Sequence, residues 1–324
     1  MADRRRLLSV ALVVIVVVGV VGVLVAAGMG RTPPPATSEP IDLSSLASYP
    51  PVPDATADPS VTTLSGAGDI ASCERDQDAA TAALLEDLPG FVFTAGDNAY
   101  EEGTADQFRN CYDPSWGAQR ERTFPAVGNH DADTPGAAGY FDYFGGRAGD
   151  PRAGWYALDL GTWRLIVLNS NCVDGAGCGT DTDQGRWLEA ELAAHPAECT
   201  LAIWHHPRWS TGYHGPISGV APFWDALYEA GADLIVNGHD HDYERFAPLA
   251  PSGKADPERG IRQIVAGTGG AALRDFDEED PNSEVRQAST YGVLRLDLHR
   301  GSYDWQFIPV DGGDFTDQGS GTCH

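Results

Sequence analysis

Basic residues are scarce in this chain, which has 21 Lys and Arg against 47 Asp and Glu and a formal net charge of −26. Because the phosphate backbone of a nucleic acid demands a basic surface, this balance argues against nucleic acid as a partner. Two enzyme motifs are also missing. No Gly-rich loop ends in Lys-Ser or Lys-Thr, which excludes a P-loop phosphotransferase. No Gly-x-Ser-x-Gly elbow is present, which argues against a serine hydrolase.

The amino terminus contains a basic cluster, Arg4 to Arg6, followed by an apolar run from Leu7 to Gly28. The run has the length of about 20 residues that a helix needs to span a bilayer. The basic cluster should stay in the cytoplasm, so the rest of the chain would lie outside it. We therefore predict an anchor within residues 1–30 and an extracytoplasmic, membrane-anchored protein. A long signal peptide, cleaved near Ala26-Ala27-Gly28 and leaving a secreted protein, is the alternative.

The segment after the apolar run divides into a linker and a domain. Residues 31–60 are rich in Pro, Ser, Thr and Ala and show no apolar periodicity, so we predict an extended tether. The globular domain would then comprise residues 61–324, a plausible size for one α/β domain.

The predicted domain contains six cysteines, an even number that favours disulfides in an exported chain. None of them forms a Cys-x-x-Cys pair, so a thiolate metal site is not expected. The sequence alone allows many pairings. We predict that Cys172 pairs with Cys178, because this bond would close a short Gly-rich loop. The other pairs expected are Cys73 with Cys111 and Cys199 with Cys323.

Apolar, strand-like runs repeatedly end in residues that can bind a metal. Such runs alternate with helical segments, which predicts an α/β fold. Five of them end at the following residues: Asp69, Asp97, Asn129, His205, and His239 with His241. One Gly-Asp pair is ordinary turn chemistry, but turns alone explain five such strand ends poorly. Side chains two apart on an extended backbone point to the same side, so His239 and His241 could reach into one cavity.

These side chains offer oxygen and nitrogen atoms but no sulfur, which suits Zn, Mn, Fe or similar ions. Their number could fill two adjacent sites, and an aspartate can bridge two ions. Paired ions roughly 3.5–4 Å apart clamp the attacking and leaving oxygens of an in-line displacement at phosphorus, and they acidify bound water. A cationic centre of this kind would let an acidic protein bind an anionic ester.

Five motifs together resemble the signature of the calcineurin-like metallophosphoesterases, and most of all the purple acid phosphatase branch. They are Gly68-Asp69, Gly96-Asp97-x-x-Tyr100, Gly128-Asn129-His130-Asp131, the region of His205, and Gly238-His239-x-His241. The resemblance extends from Asp69 to Arg245. It implies a β-sandwich of two mixed sheets flanked by helices. It also implies hydrolysis of phosphate monoesters by attack of a metal-bound hydroxide.

The resemblance assigns ligands to two metal ions. Asp97 would bridge them, with the first ion completed by Asp69, Tyr100 and His241 and the second by Asn129, His205 and His239. Many relatives carry a histidine two residues after the first aspartate, where this chain has Ala71. Tyr100 restores the number of ligands, which favours the purple branch and hence Fe(III) paired with Zn, Mn or Fe(II). His206 could replace His205 as the ligand, but the family pattern His-x-Pro favours His205.

Two further histidines are candidates for catalysis. By the resemblance, His130 would contact the phosphate or protonate the leaving alkoxide. His214 lies in the Gly-rich segment 210–219, where this branch often places a substrate-facing histidine; a solvent-exposed histidine is the alternative. Glu244 and Arg245 would orient the histidine loop or stabilise the fold.

The leading hypothesis is therefore an extracytoplasmic dinuclear-metal phosphomonoesterase acting on small phosphoesters. A phosphodiesterase or nucleotidase on the same scaffold is the second hypothesis, and a non-catalytic metal-binding surface protein is the third. Contact with a membrane is expected through the anchor if it is not cleaved. The sequence leaves the oligomeric state open.

Overall fold

The computed structural model describes residues 61–175 and 177–324. The predicted anchor in residues 1–30 and the predicted tether in residues 31–60 lie outside this part of the chain. Within the described residues, no helix combines the length and the apolar character needed to span a bilayer.

The described residues form thirteen strands and six α-helices, joined by short 3₁₀ and π segments. The strands are β1 (Thr62–Ala67), β2 (Phe91–Ala95), β3 (Thr123–Ala126), β4 (Tyr156–Leu160), β5 (Trp163–Val167), β6 (Cys199–Ile203), β7 (Leu234–Asn237), β8 (Tyr243–Phe246), β9 (Arg262–Ala266), β10 (Ser283–Gln287), β11 (Gly292–His299), β12 (Ser302–Pro309) and β13 (Gln318–Thr322). The helices are α1 (Gln77–Asp87), α2 (Ala105–Gln107), α3 (Asn129–Asp133), α4 (Ala138–Phe144), α5 (Asp183–Ala194) and α6 (Ala221–Glu229).

The strands form two mixed sheets. One has the order β13-β12-β11-β1-β2-β3, and the other has the order β10-β8-β9-β7-β6-β5-β4. In the first, β1, β2 and β3 are parallel and β11 is antiparallel to β1. In the second, β5, β6, β7 and β9 are parallel, whereas β4 and β8 are antiparallel to their neighbours. This arrangement confirms the predicted fold class.

Apolar side chains fill three layers around the sheets. The layer between the sheets contains Leu64 and Phe93 from one sheet and Leu201 and Val236 from the other. Helices α1 and α4 pack on the outer face of the first sheet, and α5 and α6 pack on the outer face of the second. Because the central strands are covered on both faces, they appear in the sequence as continuous apolar runs rather than as alternating patterns.

All three predicted disulfides are confirmed. Cys73 bonds to Cys111, Cys172 to Cys178 and Cys199 to Cys323. The last of these joins β6, in the centre of the second sheet, to the residue after β13, at the edge of the first. It therefore links the two halves of the sandwich covalently.

The Cys199–Cys323 bond should stabilise the domain more than the Cys172–Cys178 bond does. Their sequence separations are 124 and 6 residues, and loop entropy in the unfolded chain grows with separation. Replacing both cysteines of the long pair with serine should lower the free energy of unfolding by about 5 kcal/mol, against about 2 kcal/mol for the short pair. Urea unfolding of both double variants measures this difference. Equal losses of unfolding free energy, or a larger loss for the short pair, would show that loop length does not determine which disulfide stabilises the domain more.

Candidate metal centre

The loops after β1, β2, β3, β6 and β7 meet where the two sheets come together, and hydrogen bonds between backbone groups join these loops. The amide of Asp69 donates to the carbonyl of Gly96 (3.0 Å), and the amide of Gly238 donates to the carbonyl of His205 (3.1 Å). The amide of Tyr100 donates to the carbonyl of Ala71 (2.8 Å). The strand ends selected from the sequence therefore lie in one place.

Three of the candidate residues adopt a left-handed backbone conformation. The φ angles of Asp69, Asp97 and His239 are 59°, 50° and 74°. Residues other than glycine rarely adopt such angles, and the strain costs about 1–3 kcal/mol each. Each of the three follows a glycine directly after or close to the end of a strand. The turns direct the side chains back toward the crevice between the sheets.

Two glycines are required because other groups approach their Cα atoms closely. A Cβ atom on Gly128 would lie 2.1 Å from both the backbone N and the Oδ1 of Asp97. A Cβ atom on Gly96 would lie 2.5 Å from Nδ1 of His205. These contacts explain why the motifs contain glycine immediately before a polar residue.

The first group of donor atoms surrounds the hydroxyl of Tyr100. Its oxygen lies 3.0 Å from Oδ1 of Asp69, 3.1 Å from Oδ2 of Asp97 and 3.2 Å from Nε2 of His241. Nε2 of His241 is also 3.4 Å from Oδ1 of Asp69. Tyr100 is buried, and its contact with Asp69 joins two residues that are 31 positions apart in the sequence.

The second group surrounds the side-chain oxygen of Asn129. Oδ1 of Asn129 lies 3.0 Å from Nε2 of His205 and 3.1 Å from Nδ1 of His239. Nε2 of His205 lies 3.2 Å from Oδ2 of Asp97. The same oxygen of Asp97 therefore borders both groups, and the seven residues could hold two ions with Asp97 between them.

The hydrogen bonds of His205 and His241 suit a metal site. Nδ1 of His205 lies 2.8 Å from the carbonyl oxygen of Ala95, and Nδ1 of His241 lies 2.8 Å from that of Ala272. A carbonyl only accepts, so each Nδ1 carries a proton and donates it. In the neutral rings, the lone pairs on Nε2 then face the donor groups, which is the usual arrangement of a metal-ligating histidine.

The electrostatics of the centre also suit a bound cation. Burial raises the pKa of Asp69 to about 7. Burial alone would raise the pKa of Asp97 and lower that of His205, but their mutual attraction lowers the former and raises the latter to about 9. The imidazolium of His205 thus supplies positive charge in the metal-free protein. Metal ions that replaced this proton would neutralise the carboxylates of Asp69 and Asp97 more fully than the imidazolium does.

His130 and His214 lie beside the donor groups. His130 is half-buried; its Nδ1 donates to the carbonyl of Glu101 (2.6 Å), and its Nε2 lies 4.0 Å from Oδ2 of Asp97. The ring of His214 stacks on that of His239, with centroids 4.4 Å apart. His214 is exposed to solvent and borders the centre through this contact with His239.

His206 does not belong to either donor group. Its Nδ1 lies 2.8 Å from the hydroxyl of Ser170, and burial lowers its pKa to about 3. Its ring packs against that of His239, 4.4 Å away. Of the two adjacent histidines, His205 is the one that faces Asp97 and Asn129.

Two carboxylates hold the loops in place: Glu244, which was predicted to orient the histidine loop, and Asp131, whose role was missed in the sequence. Asp131 accepts hydrogen bonds from the amide of Gly128 (2.9 Å) and from Nδ2 of Asn98 (2.8 Å), and so joins the loops after β2 and β3. Glu244 accepts from the amide (2.8 Å) and hydroxyl (2.6 Å) of Thr211, which fixes the loop that carries His214. Both carboxylates are buried. The sequence signal was their position inside the motifs, next to the candidate ligands.

Comparison with known proteins gives one family. The family model described as calcineurin-like phosphoesterase matches residues 66–243. Purple acid phosphatase 21 of Arabidopsis thaliana is 35% identical over 163 residues, which cover 47% of this chain and 36% of that protein. A nucleotide pyrophosphatase/phosphodiesterase of Hordeum vulgare is 27% identical over 257 residues, which cover 66% of this chain and 67% of that protein.

The fold also matches a solved structure. Purple acid phosphatase PPD1 from yellow lupin seeds superposes with a TM-score of 0.67 and 18% identity, covering 81% of this chain and 54% of that one. The chain spans less than half the length of the first curated relatives it matches.

Gly128→Ala should disturb the centre, because the added methyl group collides with Asp97. Overpacking of this kind costs about 1–3 kcal/mol, and here it also displaces a donor atom. We expect a lower free energy of unfolding and weaker metal binding, measured by urea unfolding and metal titration. Gly146→Ala is the matched control, since a Cβ atom there meets nothing within 4 Å. Equal stability and equal metal affinity of the two variants would show that the centre tolerates a methyl group at residue 128.

Proposed function

The chain belongs to the calcineurin-like phosphoesterases, and on that premise we propose that it is a dinuclear-metal phosphomonoesterase that works outside the cytoplasm. Its relatives include acid phosphatases, and it is a metal-dependent phosphoric ester hydrolase. One observation carries the finer proposal. Oδ2 of Asp97 lies between two groups of donor atoms, 3.1 Å from Oη of Tyr100 and 3.2 Å from Nε2 of His205.

The resemblance to the family assigns the proposed ligands, and this geometry supports the assignment. Asp97 would bridge the ions; Asp69, Tyr100 and His241 would hold the first, and Asn129, His205 and His239 the second. A tyrosine oxygen among the ligands of the first site supports Fe(III) there, with Zn, Mn or Fe(II) at the second. Two bound ions would neutralise the charge of the phosphate and lower the pKa of a coordinated water toward about 7.

His130 is the proposed proton donor to the leaving group. Since the carbonyl of Glu101 holds the proton on Nδ1, Nε2 is the atom that faces the centre and exchanges a proton there. A protonated Nε2 could donate to the departing alkoxide. His214, stacked on His239, is the proposed neighbour of the bound phosphate.

The three disulfides support an extracytoplasmic location, because such bonds persist in oxidising compartments. We propose that residues 1–30 anchor the protein in the membrane and that residues 31–60 connect the anchor to the domain. Secretion after cleavage is the alternative.

A second candidate function is the hydrolysis of phosphodiesters or nucleotides. The barley relative, a nucleotide pyrophosphatase/phosphodiesterase, matches the chain along two thirds of its own length and favours this alternative. The ratio of turnover on p-nitrophenyl phosphate and bis(p-nitrophenyl) phosphate separates the two functions.

Asp97→Asn should abolish the hydrolysis of p-nitrophenyl phosphate and reduce the metal content from two ions per chain to one or none. An amide is a poor bridge between cations, so both sites depend on the carboxylate. The same loss of activity is expected for Asn129→Ala and His239→Ala. Elemental analysis and a turnover assay measure these outcomes, with Asp133→Asn as an exposed control. Full activity in all three variants would refute the mechanism, whereas an unfolded variant would show only that the residue stabilises the fold.

The iron assignment predicts colour. A tyrosinate bound to ferric iron should give a visible absorption band that is lost in Tyr100→Phe, since phenylalanine keeps the ring but removes the ligand oxygen. The visible spectrum and metal content of the two purified proteins test this. A colourless, fully active wild-type protein containing only Zn or Mn would show that the first site does not hold iron.

A further inference from the structure

Arg274 is attached to the candidate metal centre by its backbone. Its amide donates to the carbonyl of His241 (3.0 Å), and the carbonyl of Ala272 accepts from Nδ1 of the same histidine (2.8 Å). The segment that carries Arg274 is therefore fixed to His241 both at its backbone carbonyl and at its imidazole. None of the five sequence motifs includes Arg274.

The side chain of Arg274 extends over the rim of the centre. Nη1 donates to Nε2 of His214 (2.7 Å), and the guanidinium lies 4.9 Å above the ring of Tyr213, which is 59% exposed. The ring of His214 in turn stacks on His239. Arg274 is thus hydrogen-bonded to His214, whose ring packs on the proposed metal ligand His239.

Arg274 has no carboxylate partner in the part of the chain that the structure describes. Arg245, which follows His239 and His241 in the sequence, by contrast forms ion pairs with Glu284 and Asp317. The guanidinium of Arg274 therefore places a positive charge beside the centre with no carboxylate paired to it among the described residues. One of its five N–H donors is used by His214, which leaves the others for an anion.

We propose that Arg274 is a specificity-determining residue that binds a non-bridging phosphoryl oxygen and favours phosphate monoesters over diesters. This inference rests on the proposed function of the same centre. A monoester has a second pKa near 6 and carries nearly two charges at neutral pH, whereas a diester carries one. A guanidinium that pairs with the phosphoryl oxygens therefore stabilises the monoester more.

The hydrogen bond between Arg274 and His214 defines what each contributes. Because a guanidinium can only donate, Nε2 of His214 is the acceptor. The positive charge at this rim therefore comes from Arg274. Tyr213 supports the guanidinium from below through its ring face.

Kinetics of Arg274→Gln and Arg274→Lys in the metal-loaded full chain test the proposal. Losing a hydrogen bond to a charged group should lower kcat/KM for p-nitrophenyl phosphate by about 10- to 100-fold in Arg274→Gln. The change for bis(p-nitrophenyl) phosphate should be less than about 3-fold. Arg274→Lys should lie between, because it keeps the charge but loses the planar fork. Binding of inorganic phosphate should weaken in Arg274→Gln by the same factor as the monoester kcat/KM.

Arg300→Gln is the matched control. It removes the same charge from the turn between β11 and β12, where Arg300 pairs with Glu198 (3.6 Å), and it should leave both substrates unaffected. Equal losses for monoester and diester with unchanged phosphate binding would overturn the proposal and assign Arg274 a structural role. If the wild-type protein hydrolyses neither ester, the proposed function is wrong. The phosphate titration still decides the role of Arg274 in that case, because it does not depend on turnover.

Discussion

The buried carboxylate of Asp97 is the constraint on which the rest of the site depends. Its side chain is almost fully buried, and among the described residues its ion-pair partners are His130 and His205. A carboxylate removed from water costs several kcal/mol unless positive charge and donors surround it. The amide of His130 donates to Oδ1 (2.9 Å), while Oδ2 is left to the two donor groups. Two cations at those groups would complete the charge balance.

The fold explains how this carboxylate can be held in place. Two sheets packed on a shared apolar layer bring parallel strand ends from different parts of the chain to one crevice. The strained turns at Asp69, Asp97 and His239 persist because hydrogen bonds between the loops hold them. Asp131 accepts from the amide of Asn98, next to Asp97, and Asp69 accepts from the amide of His239. Local strain is concentrated where the chemistry is expected, and the rigid sandwich compensates for its cost.

The sequence predicted what depends on local patterns. Buried parallel strands leave continuous apolar runs, and glycine marks the turns, so the strand ends and the candidate ligands could be recognised. The edge strands β10 and β13 were missed because the segments Ser283–Gln287 and Gln318–Thr322 are polar or glycine-rich and resemble loops. Arg274 was missed for another reason. It lies in a polar segment outside the motifs, and only the tertiary hydrogen bonds bring it to His214 and His241.

An anomalous-difference map of crystals of the metal-loaded domain tests whether Asp97 bridges two ions. We expect two metal peaks, on either side of Oδ2 of Asp97 and roughly 3.5–4 Å apart. Tyr100 and His241 should contact one peak, and Asn129, His205 and His239 the other. A single peak, or two peaks that do not share Asp97, would contradict a dinuclear centre bridged by Asp97.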